Sequence, residues 1–193
     1  MTFQIIGILI LLIFYGCYFI KMFNQCSKGI QTDQIGKNKV GLVKFIEVTM
    51  KIITYIVPVF EVIGIAFNIF SFNNSLRIIG ACMGIVGDII FIISVITMQD
   101  NWRAGVSKND KTELVTSGIY QISRNPAFLG FDLVYIGILL MFFNWVLFIV
   151  SLLAILMFHL QILNVEEKFL LEEFGDDYLN YKKKVCRYIG RKW

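Results

Sequence analysis

Ala127–Leu163 reads AFLGFDLVYIGILLMFFNWVLFIVSLLAILMFHLQIL, and Asp132 and His159 are its only acidic or basic side chains. A helix needs ~20 apolar residues to cross a bilayer, and Asn144 alone divides this stretch into two such runs, about 127–143 and 145–165. So short a connection leaves one solution, an antiparallel helical hairpin. Its two open ends then lie on the same side of the membrane. Before the hairpin stands Tyr120-Gln121-Ile122-Ser123-Arg124-Asn125-Pro126; at its far end come His159 and then Glu166-Glu167. The hairpin therefore brings two polar clusters together, and these are expected to enclose a pocket at the membrane surface.

Working outward, the same logic assigns the rest of the chain. Hydrophobic residues make up 57% of the sequence and charged ones 17%, the latter grouped between long uncharged runs, as in a polytopic helical membrane protein. The run Phe3–Phe23 starts without a basic residue and ends at Lys21, unlike a cleaved signal peptide, and is expected to be a retained first span. Residues 24–51 are polar and glycine-containing. Their second half, Val40–Lys51, alternates Leu42, Phe45, Ile46 and Met50 with Lys44, Glu47 and Lys51, a helical amphipathic pattern suited to the interface. A second span is expected over Ile52–Phe72, with Pro58 kinking it or marking its end turn. Glu61 within it is either a functional acid or a neutral packing residue.

The polar turn Ser71–Ser75 leads into a third span over Leu76–Met98, where Gly80, Gly84 and Gly87 fall on one face and allow close helix packing, with Asp88 beside them. The loop Gln99–Glu113 holds Trp102-Arg103-Ala104-Gly105-Val106, whose aromatic and arginine suit an interface. Pro126 fits a first helical position with Asn125 as its cap. After Glu167, Gly175 is expected to stop one helix and Asp176 to start another, amphipathic segment. The expected fold is a single all-α membrane domain of five transmembrane helices with a C-terminal cytoplasmic or interfacial helical segment. Of the 18 lysines and arginines, only Arg77 lies next to the turns at 71–75 and 144, so the positive-inside rule puts the N-terminus outside and the C-terminus in the cytoplasm. On that orientation, residues 99–126 and 166–193 form the cytoplasmic parts of the site.

The net charge of +4 belongs to basic residues flanking apolar spans, which points to anionic membrane lipid and not to nucleic acid. The four cysteines show no CxxC spacing and the single histidine has no partner motif, so no metal is expected. Neither GxGxxG after a strand nor a Walker motif is present, which excludes a soluble nucleotide-binding domain. What chemistry remains is set by the clusters. A helix opening at Asn125-Pro126 directs free amides outward, and Arg124 beside them makes an anion site. His159 and Glu166, seven apart, fall within about 20° on one helical face. With Glu167, they form a cation- or hydroxyl-accepting site. A ligand carrying a carboxylate, an ammonium and a ribose satisfies both.

These residues resemble a known family. Leu114-Val115-Thr116-Ser117-Gly118-Ile119-Tyr120, Ser123-Arg124-Asn125-Pro126-Ala127-Phe128-Leu129-Gly130, His159, Glu166-Glu167, Phe174-Gly175, Tyr178, Tyr181 and Arg187-Tyr188 together look like the isoprenylcysteine carboxyl methyltransferases, with the paired glutamates also similar to those of the phospholipid methyltransferases. The resemblance covers about the C-terminal 90 residues, plus Trp102–Val106. It implies a membrane methyltransferase using S-adenosylmethionine on a lipid-like acceptor, a carboxylate or a thiol. Carried over by position, Tyr120, Asn125, Gly130, His159, Glu166 and Glu167 would line the cofactor site, and Arg124 or Arg187 would orient an anionic acceptor at the reacting end. Tyr178 and Tyr181 would pack a C-terminal lid. The family pattern often has a histidine where Asn125 stands, and asparagine cannot carry a proton. One rival shares similar C-terminal motifs, an NADPH-dependent sterol-type reductase; a non-enzyme rival is a small membrane transporter or scaffold using Glu61, Asp88 and Asp132. Against the first stands the short chain, and against the second the lack of an internal repeat.

Overall fold

The computed structural model describes residues 1–37, 39–69, 72–106 and 113–192. Ser71, at the head of the expected 71–75 turn, and residues 107–112 of the third loop lie outside them. Six helices follow in chain order: α1 Thr2–Ser27, α2 Gly41–Ala66, α3 Asn74–Met98, α4 Pro126–Met141, α5 Trp145–Gln161 and α6 Glu167–Lys184. Among the described residues no strand exceeds an isolated bridge, at Asp33–Ala104 and Val185–Arg191. The fold is thus all-α, as the apolar runs predict. Four helical stretches are long and apolar enough to cross a membrane: α1, α2, α3 with its terminal turn, and α5 with its continuation. The fourth expected span, α4, has 16 residues and is about 24 Å long, shorter than a ~30 Å hydrocarbon core.

Local sequence accounts for where each helix points. In α1 the buried positions Gly7, Ile10, Leu11 and Phe14 fall at helical spacing, while Ile5, Leu9, Leu12 and Ile20 are exposed on the other sides. Those exposed apolar side chains suit lipid, not water. Asn73 caps α3 by accepting from Leu76 N at 3.1 Å, and Asn144 caps α5 by accepting from Leu147 N at 2.9 Å. Gly175 breaks α6 with φ +48°, the helix stop expected at that residue.

Two expectations fail in the first half. The amphipathic stretch 40–51 is not a separate interfacial helix; it runs without a break into the second span as α2, with Pro58 inside it. Glu47, read as part of its wet face, is fully buried. Trp102, expected at an interface, is also buried, edge-on to Tyr18 and Phe91, and its carbonyl accepts from the Gln25 amide at 2.8 Å. Helical periodicity cannot report a loop that folds back between helices.

Packing is dominated by the glycine face of α3. A Cβ on Gly137 would sit 2.6 Å from Gly84 N, and one on Gly80 would sit 2.6 Å from Gly137 O, so α3 and α4 meet backbone to backbone. Gly130 belongs to this seam: a Cβ there would lie 2.9 Å from the Phe91 Cβ and 3.0 Å from Gly87 O. Its small size serves this helix contact. Helix α5 packs chiefly on α2, and α1 on α3. An aromatic cluster of Phe14, Phe91, Phe131 and Phe158 fills the space between them.

Candidate cofactor and acceptor site

The opening of α4 is built by the chain's tail. Residues 122–125 pair with 186–190: Arg124 N donates to Cys186 O at 3.1 Å and Gly190 N to Ile122 O at 2.8 Å. Tyr181 Oη donates to Tyr120 O at 2.6 Å and closes the same wall. Asn125 does not cap α4; its amide donates to Arg187 O at 3.1 Å, and its backbone N–H bonds Ser123 Oγ. The side chain is committed to a residue 62 positions away, so the first-turn amides of Ala127 and Phe128 keep no protein partner among the described residues. Such amides suit an anion.

Glu167 is the hub of the wall. Arg187 grips it with two bonds, Nε to Oε1 at 2.7 Å and Nη2 to Oε2 at 3.2 Å. Arg124 Nη1 lies 3.1 Å from Oε1, Lys182 Nζ lies 3.1 Å from Oε2, and Arg124 Nη1 also donates to Tyr178 Oη at 2.7 Å. Burial alone would favour the neutral acid, but bonds from Arg187 and Lys182 and the Arg124 charge hold the carboxyl at about 2. Both arginines expected to orient an acceptor are therefore joined through Glu167. Arg124 Nε stays buried with no partner.

Glu166 faces elsewhere. The five residues Ile162–Glu166 form a π-helical turn, which inserts a residue into the helical count and shifts the phase between His159 and Glu166. The two side chains consequently take separate partners. His159 Nδ1 lies 2.6 Å from Tyr188 Oη, with the rings stacked. Glu166 Oε1 lies 3.4 Å from Gln161 Nε2, which also approaches Glu47 Oε1 at 3.5 Å. Just past the apolar run, burial pushes the Glu166 carboxyl up to about 7, with the Gln161 bond and the Lys39 charge opposing.

Beside these groups opens a cavity of about 480 Å³, walled by aromatic side chains from four helices, among them Tyr15, Tyr18, Phe128, Phe131 and Phe158. Asp33, Lys51 and Arg103 supply its polar edge, with Lys51 Nζ 2.5 Å from Asp33. Ala127 and Phe128 line it, so it reaches the uncapped start of α4. A second groove of about 510 Å³, of mixed lining, lies on the tail between Thr116, Gln121, Asn180 and Arg191. Among the described residues no group of three or more histidines, cysteines and acids could hold a metal. The donor set fits S-adenosylmethionine: free amides and the partnerless Arg124 Nε for a carboxylate, and Glu166, with no cation at ion-pair distance, for a positive charge. Sequence reasoning named Tyr188 only as part of the motif, without a role, and missed Gln161 and Glu47 as site groups. Gln161 carried a faint signal as one of the few polar side chains in the α5 run.

The sequence is similar to known proteins. The chain is 30% identical over 123 residues to Protein-S-isoprenylcysteine O-methyltransferase of Saccharomyces cerevisiae, covering 61% of this chain and 52% of that protein. It is 33% identical over 112 residues to the Xenopus laevis protein of the same name, covering 57% and 39%. The chain thus spans about two-fifths to half the length of these relatives. The profile of the family described as phospholipid methyltransferase matches residues 76–177, which run from α3 to the break in α6. That segment is more than half of the sequence and contains Arg124, Glu166 and Glu167, and on this match the chain belongs to the phospholipid methyltransferase family.

Proposed function

We propose that this chain is an integral membrane methyltransferase that transfers a methyl group from S-adenosylmethionine to a lipophilic acceptor bearing a carboxylate or a thiol. One observation carries the reading: an aromatic-walled cavity runs up to the uncapped start of α4, so an apolar substrate and an anion-bearing cofactor can meet there. The named relatives, isoprenylcysteine O-methyltransferases, supply the acceptor class.

When bound, S-adenosylmethionine supplies an electrophilic methyl group on a sulfonium. The chain's own residues bind, orient and exclude water. The amides of Ala127 and Phe128, with Arg124 Nε, would receive the cofactor carboxylate, and Glu166 its positive charge. Phe128, Phe131 and Phe158 would hold the acceptor's apolar part. Lys51 and Arg103, on the cavity edge, would meet an acidic acceptor group in place of Arg124 and Arg187. Positioning two reactants in a dry site can be worth about 7–11 kcal/mol of barrier. Neither a carboxylate nor a thiolate needs a strong base, and no residue is given a proton-transfer role. On the orientation expected from the charge pattern, segments 99–126 and 166–193 would lie in the cytoplasm, where the tail's Lys182, Lys183 and Lys184 would meet anionic lipid.

Transfer of radiolabelled methyl from S-adenosylmethionine by the purified full chain tests the reading, with farnesylcysteine analogues, long-chain thiols and aminophospholipid offered in parallel. Label in the first or second supports it. Label in aminophospholipid alone refutes the acceptor class, and label in none refutes the activity.

A further inference from the structure

Near the site, a buried acid has no cation at ion-pair distance among the described residues. Glu47, on α2, is 0% exposed, and so is Gln161, on α5. The Gln161 amide nitrogen lies between two carboxylate oxygens, 3.5 Å from Glu47 Oε1 and 3.4 Å from Glu166 Oε1. The other Glu47 oxygen accepts from Gly36 N at 2.5 Å. Neither carboxylate has a cation within ion-pair distance among the described residues; Lys39 acts on Glu166 from further off. Gln161 Oε1 is buried and has no hydrogen-bond partner at all. Two long bonds and one orphaned oxygen leave the buried Gln161 amide poorly satisfied, since an unpaired buried acceptor costs roughly 1–3 kcal/mol.

The position of the cluster says what would complete it. Met50 and Lys51 line the aromatic cavity, and Glu47 stands one helical turn before them on the same side of α2. Phe158 lines it too, and Gln161 stands one turn beyond. The cluster therefore stands one helical turn beyond residues that line the cavity, and its α2 member lies outside the family match. Amide oxygen and nitrogen are interchangeable by rotation, so Gln161 can present its oxygen to a cation held by both glutamates. That gives three oxygens around one positive charge. An organic ammonium, with three donors, matches that set.

We propose that Glu47 is a cofactor-binding residue: with Glu166 and Gln161 it receives the ammonium group of the S-adenosylmethionine amino-acid moiety. The inference rests on the methyltransferase reading and extends the cofactor site onto α2. It assigns the N-terminal half a part in binding and not only in shaping the acceptor cavity.

Equilibrium binding to the detergent-purified full chain separates this from a purely structural role. Three ligands are compared: S-adenosylmethionine, S-adenosylhomocysteine, which keeps the ammonium, and 5′-methylthioadenosine, which lacks the amino-acid moiety. In Glu47→Gln, which preserves shape and the bond from Gly36, the first two weaken at least tenfold and the third is unchanged. Gln161→Leu, of similar volume, gives the same pattern and stands in if Glu47→Gln does not fold. Equal loss for all three ligands, or no loss for any, overturns the proposal. If the wild-type chain binds methylthioadenosine and both adenosyl amino acids but Glu47→Gln matches it, this inference alone fails. If wild type binds none of them, the methyltransferase reading falls with it.

Discussion

Glu167 holds the tail of this protein in place, and its surroundings explain how. Three cations reach it, two of them partly exposed and one, Arg124, buried. Glu167→Gln leaves Arg124 buried without its counter-charge, while Arg187 and Lys182 regain water. A loss of about 2–4 kcal/mol is expected, at the lower part of what breaking a buried pair costs. Thermal unfolding in detergent, with proteolysis of residues 185–192 as a local readout, measures it. The pH dependence follows from the same bonds. The folded carboxyl titrates at about 2, below an unfolded value near 4.3, so its contribution is complete above the unfolded value and is lost as pH falls from about 4.5 through 2. Wild type should therefore approach Glu167→Gln in stability between pH 5 and pH 3. A gap that stays constant over that range contradicts the assignment.

Between α3 and α4, the contact depends on what the glycines omit. Gly137→Ala puts a methyl group 2.6 Å from Gly84 N and 2.7 Å from Gly80 O, both backbone atoms of a packed helix. Overpacking of about 1–3 kcal/mol is expected, read as a lower melting temperature. Gly16→Ala, in α1 with nothing within 4 Å, is the control and should gain up to about 1 kcal/mol from helix propensity. The spacing of Gly80, Gly84 and Gly87 made this face readable in the sequence, as did the apolar runs for the helices and Gly175 for the break in α6. Helix ends were less readable. Residues 40–51 carry an amphipathic pattern, yet they belong to α2 because Glu47 finds partners in Gly36 and Gln161, contacts that lie outside any local window.

Across the whole molecule, the sequence motif and the built site overlap only in part. Tyr120, Arg124, Asn125, Glu167, Tyr178, Tyr181 and Arg187 do converge, and they form the wall that the tail makes against the start of α4. His159 and Glu166 take separate partners, Tyr188 and Gln161, across a π turn that is invisible to a count of 100° per residue. Adjacent Glu166 and Glu167 likewise face different neighbours, one an ion cluster and the other an amide beside Glu47. The groups that complete the cavity come from α1 and α2, far from the motif in sequence, and from the 102–105 loop. The central claim is that these parts together hold a charged adenosyl cofactor beside an apolar cavity. Calorimetric titration of the detergent-purified chain with S-adenosylmethionine tests it most directly. Micromolar binding, weakened at least tenfold in Glu166→Gln, is the predicted result; no binding by wild type, with NADPH binding in its place, would contradict it.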